Sequence, residues 1–339
     1  MLGFAGNHST PYKFPALNFF PVMPLAESNP VTVEGANLGR HLFYDPILSS
    51  DSSMSCSSCH KQEFAFSDSP NQFSTNRYGQ PMQRNTMALF NLAWYPAYFW
   101  DGRASTIEDQ IFHPIREKNE MNLSSAEATN KINRNKTYID LFEIAFPGQT
   151  IDSILISKAV AQFLRTLISN GSKYDRVLQG ISKFSPNETE GFILANDQLK
   201  GDCLHCHTTD ADALGTTHQF SNNGLDDVKN PENYLDKGRG KVTGKAEDNG
   251  KFIIPTLRNL AFTAPYMHDG RFKTLDEVLD FYSESVHHSS NIDSKMQYSR
   301  QGGVHLTGEE KMKLKQFLLT LTDSVFIQNP EFGKPLIKN

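Results

Sequence analysis

The sequence is short of several things. Tryptophan occurs twice in 339 residues, at Trp94 and Trp100, and cysteine four times. No window of ~18 apolar residues exists, so no membrane span is expected. Positive charge is not in excess: 33 Lys and Arg stand against 38 Asp and Glu, for a net charge of −5. Nothing is therefore available to neutralise a phosphate backbone, and no nucleic-acid partner is expected. Strand patterns are scarce. A composition of 38% hydrophobic and 21% charged residues excludes collagen-like, coiled-coil and wholly disordered chains. The length exceeds the ~100–200 residues of one domain, so two are expected.

The few cysteines are the most informative residues. All four fall in two pentapeptides, Cys56-Ser57-Ser58-Cys59-His60 and Cys203-Leu204-His205-Cys206-His207. C-x-x-C-H reads as a c-type haem attachment site, with two thiols for the porphyrin vinyl groups and an adjacent His for the iron. The two motifs lie far beyond the ~15–20-residue spacing of a zinc ribbon. A thioredoxin-like pair needs no obligatory His. Two covalent c-type haems are therefore expected, and no disulfide. Covalent haem attachment happens outside the bacterial cytoplasm, which predicts the periplasm. Residues 1–20 show neither a basic region nor a long apolar one, so a processed or truncated form is expected.

Periodicity predicts a mainly α fold: two cytochrome-c-like haem domains facing each other, with few short strands. Residues 1–34 are Pro-rich and read as an extended arm. Residues 35–180 read as the first haem domain, 181–325 as the second, and 326–339 as a tail. A short helix within 35–50 should stop at Pro46, and one from 106 to 112 should be capped by Thr106. Helical periodicity runs over 126–145 and over 151–169. In the second, Ile154, Ala159, Phe163, Leu164 and Leu167 make an apolar stripe. Ser185 and Pro186 open a helix over 186–200. Thr274 and Thr307 open two more, the last ending near Leu321, with a capping box at Thr274. Residues 210–252 read as loop.

Longer blocks carry a resemblance. They are the run from Leu38 to Pro46, Arg84-Asn85 upstream of Phe99-Trp100-Asp101-Gly102-Arg103, and the run from Leu257 to Gly270. With the haem motifs, these resemble the bacterial di-haem cytochrome c peroxidase family, which includes the MauG enzyme that matures tryptophan tryptophylquinone. The resemblance implies an N-terminal haem that reduces hydrogen peroxide and a C-terminal haem that passes electrons to it. His60 and His207 would be the proximal ligands and Trp100 the inter-haem relay. Glu120 and Gln110 match the distal-pocket pair: a carboxylate there moves a proton from the inner to the outer peroxide oxygen. Phe99 would pack in that pocket. Asn85, Thr263 and Pro265 match the ligands of one calcium ion. A small cytochrome c or cupredoxin would donate electrons, and family members are often homodimers.

Two positions depart from the peroxidases. Their first haem is blocked by a distal His until the other haem is reduced; here Arg77 falls at that position, and no His occurs between His60 and His113. Arg is cationic and not an iron ligand, so the first haem is expected to be open without reductive activation. Their second haem has a distal Met; here the matching residue is Tyr282, as in MauG, with His287, His288 and Met296 as open alternatives. Both departures lean toward the MauG branch, where high-valent di-haem iron modifies a partner protein through surface tryptophans. This chain has no Trp in its second half, and nothing in the sequence selects among Tyr234, Tyr266 and Tyr298 as a substitute. A periplasmic peroxidase is the first expectation and a MauG-like oxidase the second.

Overall fold

The computed structural model describes residues 9–208 and 214–335. The first residues of the expected arm, the start of the expected 210–252 loop and the end of the expected tail lie outside the described residues. The described chain is helical: α1 (Val33–Tyr44), α2 (Ile107–Arg116), α3 (Ser125–Asn133), α4 (Lys136–Ala145), α5 (Ser153–Thr166), α6 (Lys173–Leu178), α7 (Pro186–Asn196), α8 (Arg239–Thr243), α9 (Leu275–Glu284), α10 (Gly308–Leu319) and α11 (Ser324–Gln328). Among the described residues, strand is confined to β1 (Phe220–Ser221) and β2 (Phe252–Ile253), paired antiparallel. No helix among them is long and apolar enough to cross a membrane.

Each half is organised by one close helix crossing, and the two crossings use the same device. In the first half α1 meets α5 at Gly39, where an added Cβ would stand 2.0 Å from Ala159 O and 2.9 Å from Phe163 Cβ. In the second half α7 meets α10 at Gly191, where it would stand 2.1 Å from Lys313 O and 2.9 Å from Phe317 Cβ. Only glycine lets the backbones approach so closely. Around the first crossing Leu38, Leu42, Phe43, Ile156 and Phe163 are buried; around the second, Ala195, Leu314 and Phe317.

Local capping chemistry sets the helix starts. The side chains of Thr106, Ser185, Thr274 and Thr307 each accept from the backbone N–H three residues on. Several expectations differ from the structure. The expected 210–252 loop carries, among its described residues, β1, α8 and the start of β2. Residues 126–145 form two helices, because Asn135 caps a fresh start by accepting from Tyr138 N. Ile154 leaves the α5 stripe and is 62% exposed, because in the first turn the buried face is carried by Leu155 and Ile156 instead.

The arm lies across the junction of the halves. Its Phe14, Leu17, Phe20 and Met23 pack on Ala93, Trp94, Ile168 and Leu214, and Trp94 Nε1 donates to Pro21 O at 3.0 Å. The stretch expected as a tail is ordered in its described part. Residues 324–333 return to the first half, where Phe326 and Phe332 are buried. Gln62 Nε2 donates to Asn329 O at 2.7 Å and Tyr44 Oη to Phe332 O at 2.8 Å.

Candidate functional site

The two cysteine motifs adopt the same turn. Each opens a single 3-10 turn, Cys56–Ser58 and Cys203–His205. His60 N donates to Cys56 O at 3.0 Å, and His207 N to Cys203 O at 2.9 Å. Both thiol pairs are unlinked. Burial pushes Cys56 and Cys203 up to about 12, and Cys59 and Cys206 up to about 11. None is poised as a thiolate for redox exchange.

Both histidines are set in one tautomer. His60 Nδ1 lies 2.9 Å from Phe66 O, and His207 Nδ1 lies 2.9 Å from Pro255 O. A carbonyl only accepts, so Nδ1 carries the proton and Nε2 keeps its lone pair. That is the arrangement of a metal-ligating imidazole held by its outer-shell partner. Burial lowers both, His207 to about 4, so both are neutral at neutral pH. The Phe66 carbonyl is offered from unusual backbone: Ala65 and Phe66 have φ of 52° and 60°.

A cavity of ≈ 280 Å³ lies in front of His207. Cys203, Cys206, His207, Tyr282, Met296 and Trp100 all line it. Its donor set fits a haem: two thiols, an imidazole with a free Nε2, and other lining side chains able to serve as a second ligand. Of the four candidates for that second ligand, Tyr282 and Met296 line the cavity. His287 and His288 do not, and His288 Nδ1 is held by Ser299 Oγ at 3.0 Å. Burial pushes the Tyr282 phenol up to about 12, and a hydrogen bond from Asn223 opposes this. Asn223 Nδ2 reaches Tyr282 Oη at 2.9 Å.

Trp100 sits between the halves and is fixed at both ends. Its Nε1 donates to Asn85 O at 2.8 Å, and its carbonyl accepts from Ile253 N at 2.9 Å. His268 stands edge-on to it, ring centroids 6.5 Å apart, and stacks on Phe252 at 3.6 Å and 13°. Arg84 covers Phe252 and bridges the halves, bonding both oxygens of Asp236 at 2.7 Å and Asp101 Oδ2 at 2.7 Å. Asn85, Thr263 and Pro265 line the same cavity.

Glu120 belongs to the other motif. It is half-buried, and its charge acts on both Cys56 and Cys59, pushing their thiols further up. Burial first, then the nearby Glu117, raises its own carboxyl, while Arg103 acts the other way. Gln110 is half-buried on α2. Phe99, half-buried at φ 67°, lies under the Arg103 guanidinium at 3.5 Å and edge-on to His113. Arg77 is committed to neighbouring residues. Its guanidinium binds Ser50 Oγ at 2.8 Å and Asp51 Oδ2 at 2.7 Å, while its N–H donates to Asn119 O at 3.0 Å.

Sequence reasoning missed Asn223, Phe252 and the Arg84–Asp236 bridge. One signal was available for Asn223, the turn-forming Asn222-Asn223-Gly224. The others come from residues far apart in the chain, and no local pattern announces them.

Comparison with known proteins gives a consistent set of similarities. A family model for "Di-haem cytochrome c peroxidase" matches residues 33–183. The chain is 32% identical to the methylamine utilization protein MauG of Methylophilus methylotrophus, over 81% of this chain and 80% of that one. It is 30% identical to the cytochrome c551 peroxidase of Nitrosomonas europaea, over 94% and 87%. Among solved structures it is similar to a MauG-like protein associated with microbial copper homeostasis. The TM-score there is 0.86 at 33% identity, covering 96% of this chain and 99% of that one.

Proposed function

The chain belongs to the di-haem cytochrome c peroxidase and MauG family, and from that premise we propose that it reduces hydrogen peroxide to water at its N-terminal haem, with electrons passed from the C-terminal haem. It is a peroxidase-like oxidoreductase acting on hydrogen peroxide, built around two c-type haems. Haem iron, when bound at both motifs, supplies the peroxide-binding position at the first and one-electron exchange at both. His60 and His207 hold it from the proximal sides, each with Nε2 free and Nδ1 donated to a carbonyl. Tyr282, which lines the same cavity as His207, would hold the second from its other side.

The observation that carries the reading is Glu120. A half-buried carboxyl with a raised pKa beside the Cys56–Cys59 turn suits a group that takes a proton from the inner peroxide oxygen and returns it to the outer one. Gln110 orients the peroxide. Trp100 keeps its N–H on the Asn85 carbonyl and gives electrons a step between the halves. Arg77 is engaged by Asp51, so this position would offer no ligand to the first iron, and the first site would be open in the fully oxidised protein. Oxidised holoprotein mixed with peroxide should therefore change its spectrum without prior reduction. Glu120→Gln should slow that change and lower kcat/KM with a reduced cytochrome c by about 10²–10⁴-fold. A variant within threefold of the wild type would remove Glu120 from the mechanism.

One calcium ion between the halves completes the reading. Asn85 Nδ2 donates to Gln72 O at 3.1 Å, which leaves Oδ1 for a cation, and Thr263 and Pro265 supply carbonyls. Calcium prefers such oxygen donors. Chelation should alter the holoprotein spectrum, and restored calcium should reverse the change in the wild type but not in Asn85→Ala. A metal assay that finds no calcium would end the idea. A periplasmic location, a small cytochrome c or cupredoxin as donor, and a homodimer belong to the same reading.

A second reading, a MauG-like oxidase acting on a partner protein, is favoured by the TM-score of 0.86 to a MauG-like structure and by Tyr298. Tyr298 lines the cavity and stays half-exposed, whereas Tyr234 is buried and Tyr266 Oη is committed to Leu260 O. Rapid peroxide turnover with reduced cytochrome c supports the first reading. A persistent oxidised spectrum with negligible turnover supports the second.

A further inference from the structure

Asn223 stands on a turn that does not need its side chain. The preceding Asn222 anchors the turn: its Nδ2 donates to Tyr234 Oη, Ser289 Oγ and Asn291 Oδ1 at 2.9 to 3.1 Å, and its Oδ1 accepts from Gly224 N at 3.0 Å. On the other side Gly224, at φ 74°, presses against His287 O, 2.4 Å from where a Cβ would stand, and its own carbonyl accepts from His287 N at 2.9 Å. The backbone of residue 223 is thus held by its neighbours. Its own amide points elsewhere, into the cavity that His207 and Tyr282 share.

There the Asn223 amide meets one strong acceptor. Nδ2 reaches Tyr282 Oη at 2.9 Å, with only the soft Met267 Sδ, 3.8 Å away, as a second contact. Phe281 packs edge-on to the Tyr282 ring, and Met267, Phe272, Ile292 and Met296 belong to the same apolar cluster. A lone donor aimed at a phenol oxygen in such surroundings fixes where that oxygen points. It also withdraws electron density from it, and hydrogen bonds to the ligand are one of the levers by which a protein sets a haem's potential.

We propose that Asn223 is a positioning residue for Tyr282: its amide holds the phenol oxygen toward the cavity and weakens it as a donor to the second haem's iron. The proposal rests on the reading of Tyr282 as that haem's distal ligand. A phenolate oxygen has lone pairs enough to bind iron and still accept from Asn223. Replacing Asn223 then leaves a more electron-rich ligand, which favours ferric iron.

The test compares holoprotein of Asn223→Leu, Asn223→Asp and Tyr282→Phe with the wild type, each first shown to carry two haems per chain. The readouts are the phenolate-to-iron charge-transfer band and the reduction midpoint of each haem by spectroelectrochemistry. Asn223→Leu should move the band to longer wavelength and lower the midpoint of the second haem, with the first haem unchanged. Asn223→Asp keeps the side-chain volume but loses the donor, so it should shift the same way or lose the band. Tyr282→Phe should abolish the band. If Tyr282→Phe abolishes it while both Asn223 variants match the wild type, the role of Asn223 is wrong and the ligand assignment stands. If Tyr282→Phe leaves band and midpoint untouched, the ligand assignment fails and Asn223 falls with it.

Discussion

His60 and His207 lie in different halves, yet each gives its Nδ1 to a backbone carbonyl at 2.9 Å and keeps Nε2 free. The residue types of these sites were legible because C-x-x-C-H is a local chemical unit. Their acceptors, Phe66 and Pro255, were not legible, because any residue has a carbonyl and only the folded path brings one there. Glu120 was legible only through resemblance, and the structure adds an environment that raises its carboxyl. The sign of the consequence follows. A carboxyl whose folded pKa is raised is stabilising in its protonated form, and that contribution is lost as pH rises through the folded value. In the Glu120→Gln comparison, the variant should therefore unfold at a higher temperature than the wild type at pH 8 and show no advantage at pH 4. The wild-type rate should rise with pH through the same ionisation, which burial and Glu117 move up and Arg103 moves down. A Glu120→Gln protein no more stable at pH 8 than the wild type would show that the carboxyl sits in ordinary solvent.

At the scale of elements, the helix starts were readable and the helix contacts were not. Thr106, Ser185, Thr274 and Thr307 cap their helices because capping involves only residues within one turn. The break at Asn135 used the same chemistry, but a continuous apolar period across it hid the second start. The crossing of α1 on α5 at Gly39, and its repeat of α7 on α10 at Gly191, could not be read from either glycine alone. Each depends on a carbonyl more than a hundred residues away. Gly191→Ala places a Cβ against Lys313 O and Phe317, and overpacking of this kind costs about 1–3 kcal/mol. Thermal unfolding of the holoprotein should show that loss. Gly180→Ala is not a fair control, because Gly180 has φ 72°; Gly308→Ala is, since nothing stands within 4 Å of its Cβ position. Equal stability of Gly191→Ala and Gly308→Ala would mean that the crossing is looser than described.

For the whole molecule, the contacts that join the halves include the arm over Trp94, the Arg84 bridge to Asp236 and Asp101, and the return of residues 324–333 to the first half. The last was the least legible, since a short segment after a completed domain reads as a tail. Its anchor is Asp323, whose Oδ2 accepts from Gly171 N and Ser169 Oγ, and whose own N–H donates to Asn259 Oδ1. From there Phe326 packs on Phe66, the residue whose carbonyl holds His60. Phe326→Ala should cost about 3–5 kcal/mol and disturb the first haem's spectrum more than the second's. A loss of stability with both spectra unchanged would reduce Phe326 to simple packing. This return path also has a consequence in time. A chain is made from its N-terminus, and its units fold as they emerge. The wall behind His60 is completed by Phe326 on α11, far along the chain from Cys56 and Cys59, so that cradle closes only after α11 has been made. A product ending before α11 should therefore show an unsettled first site in its spectrum, and a truncation at residue 322 that leaves the first haem's spectrum unchanged would remove that consequence.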